Sequence, residues 1–181
     1  SWNFEVPEVR EHRYNHIEEL CRLYDWDGVE LDWQRHGFHL PQDDGYRLRY
    51  VLTDLQRAVR KMTEDLAHER GRPLYVASRV SGSLEMCWRI GYDIPAWIEQ
   101  DLVDILIPAA NAATDPAIKV ESFLNLCGGT DVAVYPGFDS GLPGQPVGPE
   151  ENVIKDRMRT RAIASGYHQA GVNGVYVFNW H

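Results

Sequence analysis

Within "YDWDGVELDWQRHGFHLP", Tyr24 to Pro41, two carboxylic acids, Glu30 and Asp32, stand two residues apart in a short apolar run. On extended backbone side chains alternate, so Val29 and Leu31 take one face while Glu30 and Asp32 take the other. Two carboxyls on one face suit acid–base chemistry: one protonated to donate to a leaving oxygen, one ionised to attack or to activate water. Strand geometry sets them ~6–7 Å apart at the β-carbons, near the spacing for hydrolysis with retention of configuration. Both would lie on one wall, however, and a sugar ring needs its acid and nucleophile on opposite sides of the bond. A further acid is therefore expected from another loop, Glu85 ahead of Asp139. The plainer expectation is that Glu30 and Asp32 are ion-paired with Arg35 or Arg79, because a buried unpaired carboxylate is costly.

Arg79, in the apolar run "YVASRV", and Arg35 could neutralise a catalytic acid or hold an anionic sugar. Tyr135 and Asn179 could hydrogen-bond hydroxyls, and Asp139 could equally make a turn. Trp33, Phe38, Trp88, Tyr135 and Trp180 could stack on pyranose faces, although most such rings pack structure and only one or two are expected to touch ligand. His36 and His39 form H-x-x-H and, with Asp32, raise a metal-assisted alternative. No known metal spacing supports it, so neither a metal nor a cofactor is expected, and His36 is placed among the substrate-binding candidates. "VSGSL" lacks the strand–turn–helix frame of a nucleophilic serine.

These residues need positions, and the hydrophobic pattern supplies them. Pro7 and Glu8 suit a first helical turn, followed by a stripe through Val9, Ile17, Leu20, Cys21 and Tyr24. "GVELDW" is the next strand. Val51, Leu55, Val59, Met62 and Leu66 mark a long helix stopped by Gly71. "PLYVASRV", "LVDILIPA", "DVAVYPG" and "GVYVFNW" read as further strands, alternating with helices at "IPAWIEQ", "DPAIKVESFLNLC" and "ENVIKDRMRTRAIASGYHQA". Asn3 to Val6 reads as a strand stub before the first helix. The Gly/Pro-rich stretch "FDSGLPGQPVGP" is too long for a plain connector, and such loops often carry function.

Alternating strands and helices imply parallel strands with right-handed crossovers. An open doubly wound sheet would show a glycine-rich turn after its first strand, and no G-x-G-x-x-G or phosphate loop is present. The candidate residues gather instead at the C-terminal ends of successive strands: Asp32 and Arg35, Arg79, Asn111, Tyr135 and Asp139, Asn179. A (β/α)8 TIM barrel assembles its site in that way. A whole barrel takes ~250 residues, so residues 1–181 are expected to form a single partial barrel domain holding about the third to the eighth strand. Asp104, near the start of its strand, is expected to be structural.

The formal charge of −9 and the absence of any basic cluster argue against a nucleic-acid surface. No run approaches membrane-spanning length. Three widely spaced cysteines, Cys21, Cys87 and Cys127, suit reduced packing residues rather than a disulfide framework. The compartment stays open: secreted or periplasmic if a signal precedes this segment, cytoplasmic otherwise.

"PEVREHRYNHIEELCRLYDWDGVELDWQR" resembles the middle of the family-10-like glycosyl hydrolase proteins, sugar-processing α/β barrels widespread in bacteria. There a P-E-V-R helix leads into a D-G-[IV]-x-[LF]-D strand followed by Arg. "SRVSGSLEMCWRIGYDIPAWIEQDLVDILIPA" and "GVYVFNW" are similar to later parts of the same group. The resemblance covers nearly the whole chain and implies a carbohydrate-active hydrolase without cofactor, its partner a polysaccharide or oligosaccharide and possibly the rest of the barrel. More distantly, Asp32 matches the nucleophile ending the fourth strand of α-amylase-like and α-galactosidase-like barrels. Those carry a basic residue where this chain has Glu30. A non-catalytic carbohydrate-binding barrel is the alternative.

Overall fold

The computed structural model describes residues 2–34, 37–110, 118–139 and 151–178, without the side chains of 151–156. Helix α1 (Pro7–Leu23) starts on the fixed φ of proline and buries Ile17 and Cys21. Strand β1 (Gly28–Asp32) follows. Helix α2 (Arg49–Arg70) buries Val51, Leu55, Val59, Met62 and Leu66, the stripe its spacing predicts, and adds Leu52. Each such aliphatic burial contributes about 1.5–3 kcal/mol. Gly71, at φ 67°, ends the helix in a left-handed cap whose N–H donates to the Ala67 carbonyl.

Strand β2 (Tyr75–Ser81) leads through Gly82 into two short helices, α3 (Leu84–Ile90) and α4 (Ile94–Glu99). Ser83 caps α3 by accepting from the Met86 N–H at 3.2 Å. Strand β3 (Ile105–Ala109), helix α5 (Val120–Cys127), strands β4 (Ala133–Val134) and β5 (Gly137–Asp139), helix α6 (Glu151–Ala170) and strand β6 (Tyr176–Phe178) complete the order.

All strand pairings are parallel, in the order β1-β2-β3-β5-β6 with β4 also on β3. The fold is mixed α/β, with a curled parallel sheet of five strand positions forming a half-barrel. "DVAVYPG" fills one of these positions in two pieces rather than as one strand. The Ala133 and Tyr135 N–H groups donate to the Asp104 and Leu106 carbonyls, so the next ladder bond needs an N–H at Pro108 of β3, which has none, and pairing lapses between Val134 and Gly137.

The expected strand stub at Asn3 to Val6 is a turn. Phe4 N–H donates to the His39 carbonyl at 2.8 Å and Val6 N–H to the Asn3 carbonyl at 3.3 Å. Pro7 confines Val6 to extended backbone and begins the helix at once, leaving no length for a ladder. Phe4 is nevertheless buried against Trp33 and His39.

One face of the sheet carries Leu31, Val76, Val80, Leu106 and Val134 into the core under the helices. Gln56 of α2 is fully buried there and donates through Nε2 to Ser78 Oγ and the Leu102 carbonyl, both at 3.0 Å. Asp104 accepts from Arg60 Nη1 at 3.0 Å and from the Val76 N–H at 2.6 Å, a structural role at the foot of the sheet. The other, concave face carries Glu30, Asp32, Arg79, Ile107, Tyr176 and Phe178. Among the described residues β1 pairs only with β2, so its outer edge is open.

Candidate functional site

Alternation along β1 sets Glu30 and Asp32 on the concave face, as expected from the sequence, with Leu31 buried behind them. The register places Glu30 beside Ala77 and Asp32 beside Arg79. Arg79 is 2% exposed, and its Nη1 donates to Asp32 Oδ1 at 2.9 Å and Oδ2 at 3.2 Å. Its Nη2 donates to the Ala110 carbonyl at 2.9 Å, and its guanidinium lies 4.4 Å from the centre of the Phe178 ring. Asp32 Oδ1 also accepts from the Gln34 N–H at 3.0 Å. The carboxylate is thereby fixed by one guanidinium and one backbone amide. Arg79 Nε is buried and finds no acceptor among the described residues.

Glu30 has a different partner. Tyr176 Oη donates to Glu30 Oε1 at 3.2 Å, joining the first and last strands of the sheet. Tyr176 lies in the hydrogen-bonded row of Gly137, Ala109 and Ser81, whereas Glu30 lies in the row of Ala77, four residues earlier than Ser81 on β2. Meeting across such an offset requires tilted strands and a curled sheet, the geometry of barrel closure. Gly137 permits it locally: a β-carbon there would sit 2.9 Å from Ala109 Cβ and 3.4 Å from Tyr176 Cδ1.

The surroundings of Glu30 alter its proton affinity. Much of Glu30 is exposed along the open edge, yet partial desolvation raises its pKa, with Asp32 adding to the rise while the Tyr176 hydrogen bond and Arg79 oppose it. The Tyr176 phenol is pushed up to about 12, first by burial and then by the adjacent Glu30 charge. A carboxyl with raised proton affinity thus stands two residues from one that is ion-paired.

A cleft of about 370 Å³ runs from these carboxyls around the edge of β1 to α1, lined by Glu30, Asp32, Trp33, His39, Arg13 and His16 among others. His39 Nε2 donates to the Trp33 carbonyl at 2.9 Å, so that nitrogen carries a proton. Burial lowers the His39 pKa. Among the described residues no group of three His, Cys, Asp or Glu could hold a metal ion.

The remaining sequence candidates divide. Arg35, His36, Asn179 and Trp180 lie outside the described residues, as does Asn111. Glu85 is exposed in the first turn of α3. Tyr135 follows β4, its ring 2.8 Å from where a Gly174 β-carbon would stand. Asp139 ends β5, paired in register with Phe178. Trp33 is buried among Phe4, His39, Tyr92 and Trp97, a packing role. Phe38 and Trp88 are exposed. Tyr176 and Phe178 were not among the sequence candidates. Alternation in "GVYVF" puts both on one face, but nothing local says that the face looks back at β1.

No family model matches the chain, and no curated protein matches it. Among solved structures it is similar to the ICChI chitinase from Ipomoea carnea, with a TM-score of 0.40 and 12% identity over 91% of this chain. The chain spans 61% of the length of that chitinase chain. No helix among the described residues is long and apolar enough to cross a membrane.

Proposed function

We propose that residues 1–181 are a single partial domain of a (β/α)8 barrel that acts on carbohydrate, hydrolysing glycosidic bonds. One observation supports this reading above others. Two carboxyls on one strand of the concave face have opposite surroundings, Asp32 against the Arg79 guanidinium and Glu30 against the Tyr176 phenol. A carboxyl whose surroundings raise its proton affinity beside one held by a guanidinium is a pattern found where one site does acid–base work.

In this reading Glu30, with its raised proton affinity, is the proton-holding neighbour of Asp32, and because both share one wall the acid for the leaving oxygen comes from another loop, Glu85 ahead of Asp139. Asp32 attacks the sugar carbon or takes the proton of an incoming water. Arg79 orients Asp32 and stacks on Phe178. Arg35, His36, Asn179 and Trp180 are proposed to bind substrate, with Tyr135 and Asp139 at the neighbouring strand ends.

The test is release of reducing sugar from a panel of polysaccharides by the protein and by Asp32→Asn and Glu30→Gln. Release that both variants lose is the expected result. The full engagement of Asp32 by Arg79 and Gln34 favours a second reading, a carbohydrate-binding barrel without catalysis. Glycan binding without release from any member of the panel would select it.

A further inference from the structure

A stacked aromatic pair stands away from the carboxyls at the same end of the sheet. Tyr46, in the segment between β1 and α2, and Trp88, in the helix that follows β2, have ring centres 5.0 Å apart and planes 29° apart. They are 48% and 43% exposed, respectively, where aromatic rings ordinarily seek cover.

This pair is held in place. The Arg49 guanidinium lies 4.3 Å from the Tyr46 ring centre and 5.8 Å from that of Trp88. Arg49 is itself anchored, through Nη1 to the Tyr46 carbonyl at 2.8 Å and through Nε to Asp93 Oδ2 at 3.1 Å. Beneath the rings, Gly45 packs so closely on α3 that a β-carbon there would lie 2.3 Å from the Arg89 carbonyl oxygen. Tyr92 Oη donates to the carbonyl of Trp33 at 2.5 Å, fastening the α3 segment to the residue next to Asp32. Exposed rings fixed by a cation, an acid and a close backbone contact form a preorganised surface, which lowers the entropy cost of binding.

We propose that Trp88 and Tyr46 form an outer sugar subsite, where a pyranose ring of a long glycan stacks on Trp88 after leaving the carboxylate cleft. The inference rests on the carbohydrate reading above. Three features fit a pyranose. An indole face matches the C–H face of a sugar, the Tyr46 and Arg49 polar groups flank it for hydroxyls, and both rings follow the C-terminal ends of β1 and β2, the end that bears Asp32. A subsite of this kind serves long chains and is irrelevant to short ones.

The experiment is affinity electrophoresis in gels holding hydroxyethyl cellulose, glycol chitin, xylan or polygalacturonate. It compares the protein with Trp88→Ala, Trp88→Phe, Asp32→Asn and the exposed control Met86→Ala. Loss of one ring contact is worth about 1 kcal/mol, or roughly fivefold in affinity. Trp88→Ala should therefore weaken retardation about fivefold in a glycan that retards the parent, with Trp88→Phe restoring most of it and Met86→Ala neutral. Equal retardation of Trp88→Ala and parent overturns the subsite while leaving the carboxylate site standing. No retardation in any gel overturns the subsite, and sugar release lost in Asp32→Asn then tells whether the carbohydrate reading survives it. A parent that sediments as a dimer, and as a monomer in Trp88→Ala, overturns the proposal in favour of self-association.

Discussion

Tyr176 Oη and Glu30 Oε1 meet at 3.2 Å although 146 residues separate them, and this contact spans the concave face from the last strand to the first. It ties the curl of the sheet to the proton affinity of one carboxyl. Losing it would alter both.

Removing the phenol oxygen tests that link. The Tyr176 hydrogen bond favours ionised Glu30, so Tyr176→Phe should raise the Glu30 pKa beyond its already raised value. Carboxyl carbon titration by NMR reads this directly. A Glu30 value that falls or stays put would mean that the contact carries no electrostatic weight. In the parent, the phenol itself should titrate near 12.

Stability should carry the mark of Glu30. Its folded pKa lies above the ordinary 4.5, so the folded state holds the proton more tightly than the unfolded chain. Its stabilising contribution is fully present below the unfolded value and is lost as pH rises through the folded one. Urea denaturation across the acid range should therefore show a fall towards neutrality that flattens in Glu30→Gln. An unchanged slope in the variant refutes this assignment.

Arg79 is buried at 3% side-chain exposure against an Asp32 side chain at 29%. Arg79→Met strands the carboxylate and should cost about 3 kcal/mol. Adding Asp32→Asn should return part of that loss, because the charge that has lost its guanidinium is then gone. A double-mutant cycle by chemical denaturation measures the coupling. Strictly additive losses would show that the pair contributes nothing as a pair.

Backbone contact makes Gly45 more exacting than Gly71. A Gly45→Ala β-carbon would fall 2.3 Å from the Arg89 carbonyl oxygen and 2.9 Å from two backbone atoms of Ile90. Gly71→Ala meets open space and bears only the strain of φ 67°, about 1–2 kcal/mol. Thermal melts should rank Gly45→Ala well below Gly71→Ala. The reverse order would mean that the Gly45 segment gives way easily.

Cys21, Cys87 and Cys127 are free and buried. Burial pushes the Cys87 thiol up to about 12 and Cys127 to about 11. The folded protein should resist iodoacetamide at neutral pH and take up label at these three positions only on unfolding. Rapid native labelling of Cys87 would contradict its placement.

Helix α2 was the most legible part of the sequence, because its stripe from Val51 to Leu66 fixes both an element and its buried face, whereas α3 (Leu84–Ile90) was not read as a helix. The shared face of Glu30 and Asp32 followed from alternation alone, and Arg79 was already a named partner for them. What escaped depended on distant geometry or on single breaks. The turn at Asn3 to Val6 reflects how quickly Pro7 imposes a helix, and the gap between β4 and β5 reflects one missing N–H at Pro108 on the facing strand. Tyr176 reaches Glu30 only because the strands tilt, a property of the whole sheet that no short window of residues contains.

The open edge of β1 has a colloidal consequence. Bare sheet edges recruit one another, and inward-pointing charge is a means of preventing it. Among the described residues Glu30 and Asp32 put two carboxyls beside this edge, an arrangement that opposes edge-to-edge pairing at neutral pH. Acidification would take the charge of Glu30, and the guard on the sheet would weaken at the carboxyl whose proton affinity is raised.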